Sequence, residues 1–223
     1  MTNGRLHLEE TGWALVSSGL EPSVLEDLRQ SLFHKEAAGK RCLLDEPLVR
    51  QTARVLGQKL MAQKILTRTI AIQAIAFNKT AAKNWKVAWH QDLMFPFAKP
   101  VTTPGFDLPV KKEGIDYARP PAEILGRLLA VRLHLDDCGK NNGPLRISSG
   151  SHQYGIIPGH EVSTYVERLG ESVCTATCGE MLLMRPLALH ASSPALTPGH
   201  RRVLHFVYDS GLDCLEPWHR TIA

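Results

Sequence analysis

The tripeptide His90-Gln91-Asp92 places an imidazole and a carboxylate two residues apart. In an extended strand residues i and i+2 project to one side, so both side chains can reach a single cation. Such a chelate is half a site. A third ligand from elsewhere would complete two histidines and one carboxylate on one face of an octahedron, the arrangement of non-haem Fe(II) oxygenases. Spacing alone leaves His134, His152, His160, His190, His200 and His205 all available for that position. Cys174 and Cys178 could also share a metal, but no second pair of cysteines stands near to complete four ligands.

The bulk composition limits what else the chain can be. A chain of 223 residues with 43% hydrophobic and 22% charged residues has ordinary globular composition. One domain spanning 1–223 is the expectation. The basic residues, 26 against 22 acidic, are scattered rather than gathered into a tract that follows phosphates, which disfavours nucleic acid. No apolar run reaches the roughly 18 residues of a membrane span, and Met1 to Glu10 lacks a signal-peptide layout, so a cytoplasmic protein with no membrane contact is expected. The five cysteines show no disulfide spacing and read as free thiols. Nothing requires an oligomer, and a monomer is compatible with the sequence.

The elements that must position His90 and Asp92 follow from periodicity. Leu6 to Ser18 suggests a short strand with a glycine turn. Pro22 to Lys35 and Pro47 to about Lys64 read as helices, with Leu25, Leu28 and Leu32 on one face and Val49, Ala53, Leu56 and Leu60 on another. This helical part, about 20–65, should pack outside a sheet built mainly from 66–210. Strands are expected over Thr69 to Phe77, Trp85 to Met94, Leu128 to Asp137, Leu145 to Ser148, Met181 to Arg185 and Arg202 to Tyr208. A further helix is expected near Val162 to Leu169. Pro96 to Pro121 is rich in Pro and Gly and reads as a long loop without strand or helix. Its 99–121 portion is expected to act as a lid. Strands predominate, so the fold class is mainly β with flanking helices, a sandwich or jelly roll. In Leu128 to Asp137, Arg132 and His134 share one face. If that face lines the interior, they are candidate substrate contacts.

Several motifs occur in a fixed order: Asn84-Trp85-Lys86-Val87-Ala88-Trp89-His90-Gln91-Asp92, Asn142-Gly143-Pro144-Leu145, Ser149-Gly150-Ser151-His152, Gly179-Glu180-Met181, His190-Ala191-Ser192 and Arg201-Arg202-Val203-Leu204. Over about Leu66 to Tyr208 this order resembles the phytanoyl-CoA dioxygenase family, with its W-H-x-D, N-G-P-L and G-S-H segments and an H-x-S followed eleven residues later by Arg. The resemblance implies a double-stranded β-helix of jelly-roll, cupin-like type. It also implies Fe(II) on His90, Asp92 and His190, with 2-oxoglutarate and O2 as cosubstrates. Arg201 takes the family's place for clamping the distal carboxylate of 2-oxoglutarate, aided by Ser192. A guanidinium suits that role because its planar fork meets a carboxylate at two points and stays charged when buried. A one-residue slip of register would exchange Arg201 and Arg202. On the preceding strand, family members often place a cosubstrate-binding lysine and a substrate-facing polar residue, here Lys79 and Gln73.

The implied activity is hydroxylation of an aliphatic C–H bond of a small-molecule substrate, with release of succinate and CO2. A carboxylate at Asp92 favours hydroxylation, because halogenating relatives have a small residue there. Two other functions fit the same elements: a non-catalytic jelly-roll protein that binds a metal or ligand, and a cupin-type enzyme that does not use 2-oxoglutarate. No motif selects the substrate.

Overall fold

The computed structural model describes residues 4–33, 39–197, 199–211 and 214–223. The chain starts with α1 (Gly4–Thr11) and β1 (Trp13–Ser17). Here the strand expected from Leu6 is corrected for its first half. Leu6 and Leu8 alternate as in a strand, but an Arg5–Glu9 pair at 2.8 Å bridges one helical turn and Leu8 is fully buried. Gly12, at φ +83°, then ends the helix through its N–H to the Leu8 carbonyl. Next come α2 (Pro22–Leu32), β2 (Gly39–Lys40) and α3 (Pro47–Ala62). Each of the two helices begins with proline in its first turn, where no intrahelical N–H is needed. The expected extension of α2 to Lys35 lies outside the described residues.

The strands that follow are β3 (Ile70–Lys79), β4 (Val87–His90), β5 (Phe95–Phe97), β6 (Asp107–Lys112), β7 (Ile115–Arg119), β8 (Leu128–His134) and β9 (Leu145–Ile147). They are completed by β10 (Ser172–Cys174), β11 (Glu180–Met184), β12 (His190–Ser192) and β13 (Arg201–Asp209). Two short helices, α4 (Ala122–Arg127) and α5 (Val162–Leu169), lie between strands. A six-stranded sheet, β1-β11-β8-β13-β3-β2, and a four-stranded sheet, β10-β9-β12-β4, form a jelly roll whose ladders are all antiparallel.

Alternation decides what each face of the large sheet does. Leu129, Val131, Leu133 and Leu135 join Leu25, Leu28, Leu56 and Leu60 in one apolar cluster, so this face is roofed by α2 and α3. Tyr208 anchors the roof by donating from its hydroxyl to the Ala53 carbonyl at 2.8 Å. Gly57 is required at this crossing, since a Cβ there would stand 2.7 Å from the Thr69 hydroxyl. The opposite face carries Gln73, Ile75, Phe77, Arg132, Arg201, His205 and Val207 toward the second sheet.

The segment expected as a structureless loop is instead a small sheet, β5-β7-β6. Glu113 and Gly114 both have positive φ, 51° and 81°, and close a two-residue hairpin between Lys112 and Ile115. Such primed turns match strand twist, and Glu-Gly supplies one without the usual Asn-Gly or Asp-Gly signature. The prolines are absorbed at edges: among the described residues β6 pairs only with β7, and Pro109 falls where its register shifts. The C-terminal segment holds the stem of this hairpin. Trp218 stacks on Phe97 at 4.8 Å, bridges to it through the backbone, and donates its indole N–H to Asp209 at 3.1 Å.

All five cysteines are free, and no helix among the described residues is long and apolar enough to cross a membrane. Asp209 is the polar junction of three segments, accepting also from Arg127 at 2.8 and 3.1 Å and from the Gly211 N–H at 2.8 Å. Replacing Asp209 by Ala removes the acceptor these donors share, and the expected loss is roughly 2–4 kcal/mol of unfolding free energy. Urea denaturation measures it; an unchanged midpoint would show that the junction does not hold the C-terminal segment.

Candidate metal centre and cavity

The centre is assembled by strand pairing. β12 lies antiparallel to β4 with His190 opposite His90, and the two rings are 4.2 Å apart. Each imidazole is oriented by its own chain: Nδ1 of His90 faces the Ala88 carbonyl at 2.9 Å, and Nδ1 of His190 faces that of Ala188 at 3.0 Å. With Nδ1–H donating to a carbonyl, Nε2 keeps its lone pair for a metal. Asp92, just past the end of β4, sends Oδ1 to 3.6 Å from His90 Nε2 and Oδ2 to 3.7 Å from His190 Nε2. One ligand atom from each residue lies within 4.8 Å of the others. Small divalent ions take such ligands at about 2.0–2.2 Å, which places neighbouring donors roughly 3 Å apart. The set therefore fits one ion after a slight inward closure, and its two-nitrogen, one-oxygen composition suits non-haem Fe(II).

Electrostatics prepares the same trio. Burial alone would lower the His90 imidazole, but the hydrogen bond and charge of Asp92 outweigh it and hold the group above its ordinary range. His190 is pushed down by burial to about 4, so it is neutral at pH 7 and free to ligate. Burial would raise Asp92, yet the imidazoles of His190 and His90 hold its carboxyl well below the usual carboxylate range.

The trio opens on a cavity of about 600 Å³ between the two sheets. Arg201 lines it, donates to the Gly143 carbonyl, and is 5% exposed. Arg202 turns to the opposite face, where it forms a bidentate pair with Asp136 at 2.8 and 2.7 Å. Ser192 also lines the cavity, and its hydroxyl accepts from Lys79 Nζ at 3.3 Å. Lys79, the strand partner of Arg201, is buried and donates to the Ser193 carbonyl at 2.8 Å. Burial and the neighbouring Arg201 lower its ammonium to about 8. Gln73 and Arg132 line the cavity, whereas His134 does not. His134 is buried with both ring nitrogens unpartnered, and burial together with Arg132 drives it to about 3, so it packs as a neutral ring.

Three residues stand out: Gln91 and Cys138, to which sequence reasoning gave no role, and His205, which it weighed only as a third ligand. Gln91 separates His90 from Asp92 in the H-x-D tripeptide. Its side chain points away from the metal side and is clamped, donating to the Gly155 and Leu187 carbonyls at 2.7 Å each and accepting from the Ile157 N–H at 2.8 Å. It fixes the link between two prospective ligands to both neighbouring loops. The signal was available in the pleat, which turns residue i+1 away from i and i+2. Cys138 places its thiol against Arg201, and His205 lines the cavity. Neither has a local signature.

The phytanoyl-CoA dioxygenase family matches the chain over residues 8–203. The chain belongs to that family. With it comes the class of non-haem dioxygenases that use Fe(II), 2-oxoglutarate and O2. Solved structures of similar fold include EctD from S. alaskensis with 2-oxoglutarate and 5-hydroxyectoine, at a TM-score of 0.69 and 16% identity, covering 94% of this chain and 76% of that one. AviO1 from Streptomyces viridochromogenes Tue57 has a TM-score of 0.65 at 15% identity, with 96% of each chain covered. HygX from Streptomyces hygroscopicus with nickel and 2-oxoglutarate bound has a TM-score of 0.64 at 15% identity, covering 95% of this chain and 88% of that one. No curated protein matches the sequence. At these identities the structural likeness is one of fold, and it agrees with the jelly roll described above.

For this family member, the clamp on Gln91 yields a direct expectation. Gln91→Ala removes the partner of one buried carbonyl, one part-buried carbonyl and one buried N–H and should cost about 2–3 kcal/mol of stability. It should also weaken Fe(II) binding without removing a ligand. Chemical denaturation and a metal titration measure the two effects; wild-type metal affinity in a folded variant would reject the positioning role.

Proposed function

We propose that the whole chain acts as one Fe(II)- and 2-oxoglutarate-dependent oxygenase unit that hydroxylates an aliphatic C–H bond of a small molecule, forming succinate and CO2. The observation that carries this reading is the convergence of His90, Asp92 and His190 on one side of a cavity that also contains a buried Arg201 with no carboxylate partner among the described residues. His90, Asp92 and His190 would hold the iron, which supplies the redox chemistry for activating dioxygen. Arg201, with Ser192 and Lys79, would take the distal carboxylate of 2-oxoglutarate. These three form one cationic, hydrogen-bonding corner. Gln73 and Arg132 would face the substrate.

The chain's own contribution is orientation and exclusion of water. Backbone carbonyls hold both imidazoles with Nε2 toward the cavity, and Asp92 stays ionised at neutral pH. Ile75, Phe77, Leu93 and Phe95 line the same space with apolar surface, which limits the polar screening of ionic contacts on that side. The β5-β7-β6 sheet reaches over the opening with Leu108, Lys112 and Tyr117, and we assign it the covering role expected of residues 99–121.

His90→Ala and Asp92→Ala should each abolish Fe(II)-dependent succinate release while leaving the circular dichroism spectrum unchanged. Normal turnover in either variant would remove that residue from the centre. Arg201→Ala should raise the KM for 2-oxoglutarate about 10- to 100-fold, the value of a charged hydrogen-bonding partner. Arg202→Ala, which loses only the outer pair with Asp136, should leave that KM nearly unchanged. Steady-state kinetics in 2-oxoglutarate separate the two, and the reverse ranking would refute the assignment.

A further inference from the structure

Three cations are buried in or against the cavity, Lys79, Arg132 and Arg201, and among the described residues none of them has a carboxylate partner. The proposed function accounts for two. Lys79 and Arg201 are strand partners at one end of the β3–β13 ladder and adjoin Ser192, so they form a single corner for the distal carboxylate of the cosubstrate. Arg132 comes from another strand, β8, within reach of the Arg201 charge. Its strand partner is His205, four residues along β13 from Arg201 and two side-chain layers away, which is roughly 13 Å of strand.

The surroundings of Arg132 hold the guanidinium in place without pairing it with an acid among the described residues, and the Asp92 charge acts on it only across the cavity. Nη1 contacts Nδ1 of His205 at 3.3 Å, and the group lies 5.5 Å over the Phe77 ring. Nε has no partner among the described residues, and Arg132 is 8% exposed while lining the cavity. The next layer along the ladder toward Val207 brings in Gln73, a neutral donor and acceptor on the same cavity wall. A buried, unpaired guanidinium is costly unless a ligand supplies the missing charge. Asp92, the acid that faces this space, is engaged by His90 and His190.

Building on the proposed oxygenase reading, we infer that the substrate of this enzyme is a carboxylate-bearing small molecule, whose carboxylate is bound by Arg132 beside Gln73 and His205. The planar fork of arginine meets a carboxylate at two points, which fixes orientation as well as charge. Anchored there, the remainder of the substrate extends along Ile75, Val207 and Phe95, apolar residues that line the same space.

Calorimetry on the full chain tests this, with the protein loaded with Mn(II) and saturating 2-oxoglutarate under argon, and with hexanoate and its neutral isostere hexanamide as probes. Hexanoate should bind about 10- to 100-fold more tightly than hexanamide. Arg132→Gln should abolish that preference and Arg132→Lys should retain part of it, each with an unchanged circular dichroism spectrum. Titrating 2-oxoglutarate alone into the Mn(II)-loaded variants distinguishes the two possible sources of the carboxylate. Arg132→Gln should leave this affinity within about threefold of wild type, whereas a drop as large as that caused by Arg201→Gln would assign Arg132 to the cosubstrate and overturn the proposal. Equal or undetectable binding of the two probes to the wild type, or a preference that survives in Arg132→Gln, would also overturn it. Failure of 2-oxoglutarate to bind the wild type, with the Arg132-dependent preference intact in the absence of cosubstrate, would sink the oxygenase reading while leaving the anion site standing.

Discussion

The antiparallel pairing of β12 with β4 is the contact on which the functional half of the molecule depends. It sets His190 opposite His90, and no covalent or local feature of either segment could do so. The pairing is short, and its register shifts between His190 and Ser192, so it needs support from outside the ladder. Gln91 supplies part of that support by tying the strand end to the loops at Gly155, Leu187 and Ile157. Asp92 adds a backbone bond to the Pro186 carbonyl at 2.9 Å, which fastens the same link to the segment leading into β12. Two prospective ligands and the approach to the third are thus held by one small network.

A second constraint is electrostatic. The space between the sheets contains more positive than negative side-chain charge, and the apolar face turned toward α2 and α3 offers no compensation. Water screens these charges poorly there, so each cation is stabilised by directed neighbours: Ser192 and the Ser193 carbonyl for Lys79, the Gly143 carbonyl for Arg201, and His205 with Phe77 for Arg132. Arg202, one residue from Arg201, meets an entirely different environment and satisfies itself with Asp136 at the partly exposed face. Strand alternation alone separates a cavity residue from an outer ion pair.

Much of this was legible beforehand because it is periodic. The helical spacing of Leu25, Leu28 and Leu32, and of Val49, Ala53, Leu56 and Leu60, marked the faces that are in fact buried. The helix expected near Val162 to Leu169 is α5, and the alternation in β8 separated Leu129, Val131, Leu133 and Leu135 from Arg132 and His134. Misreadings arose where local pattern competed with context. Leu6 and Leu8 alternate like a strand, yet packing of Leu8 under a helix cap prevails. The Pro- and Gly-rich stretch after Phe97 forms strands because β6 is an edge and Glu113-Gly114 closes a tight turn. The pinning of its stem by Trp218 joins residues far apart in the chain and leaves no trace in a local window.

The sequence by itself determined the class of the fold, the identity of the motifs and the family to which they belong, since these reside in residue type, order and spacing along the chain. It also determined that His90 and Asp92 could share a cation, because the pleat of a strand is a local property. The tertiary structure brings His190, the histidine the family resemblance implied, up beside them, turns Arg201 rather than Arg202 into the cavity, and lets Arg132 line it while His134 is sealed behind. Those outcomes depend on which strands pair and in what register. Register is fixed by the summed burial of both sheets and their helical roof, a property no single segment encodes.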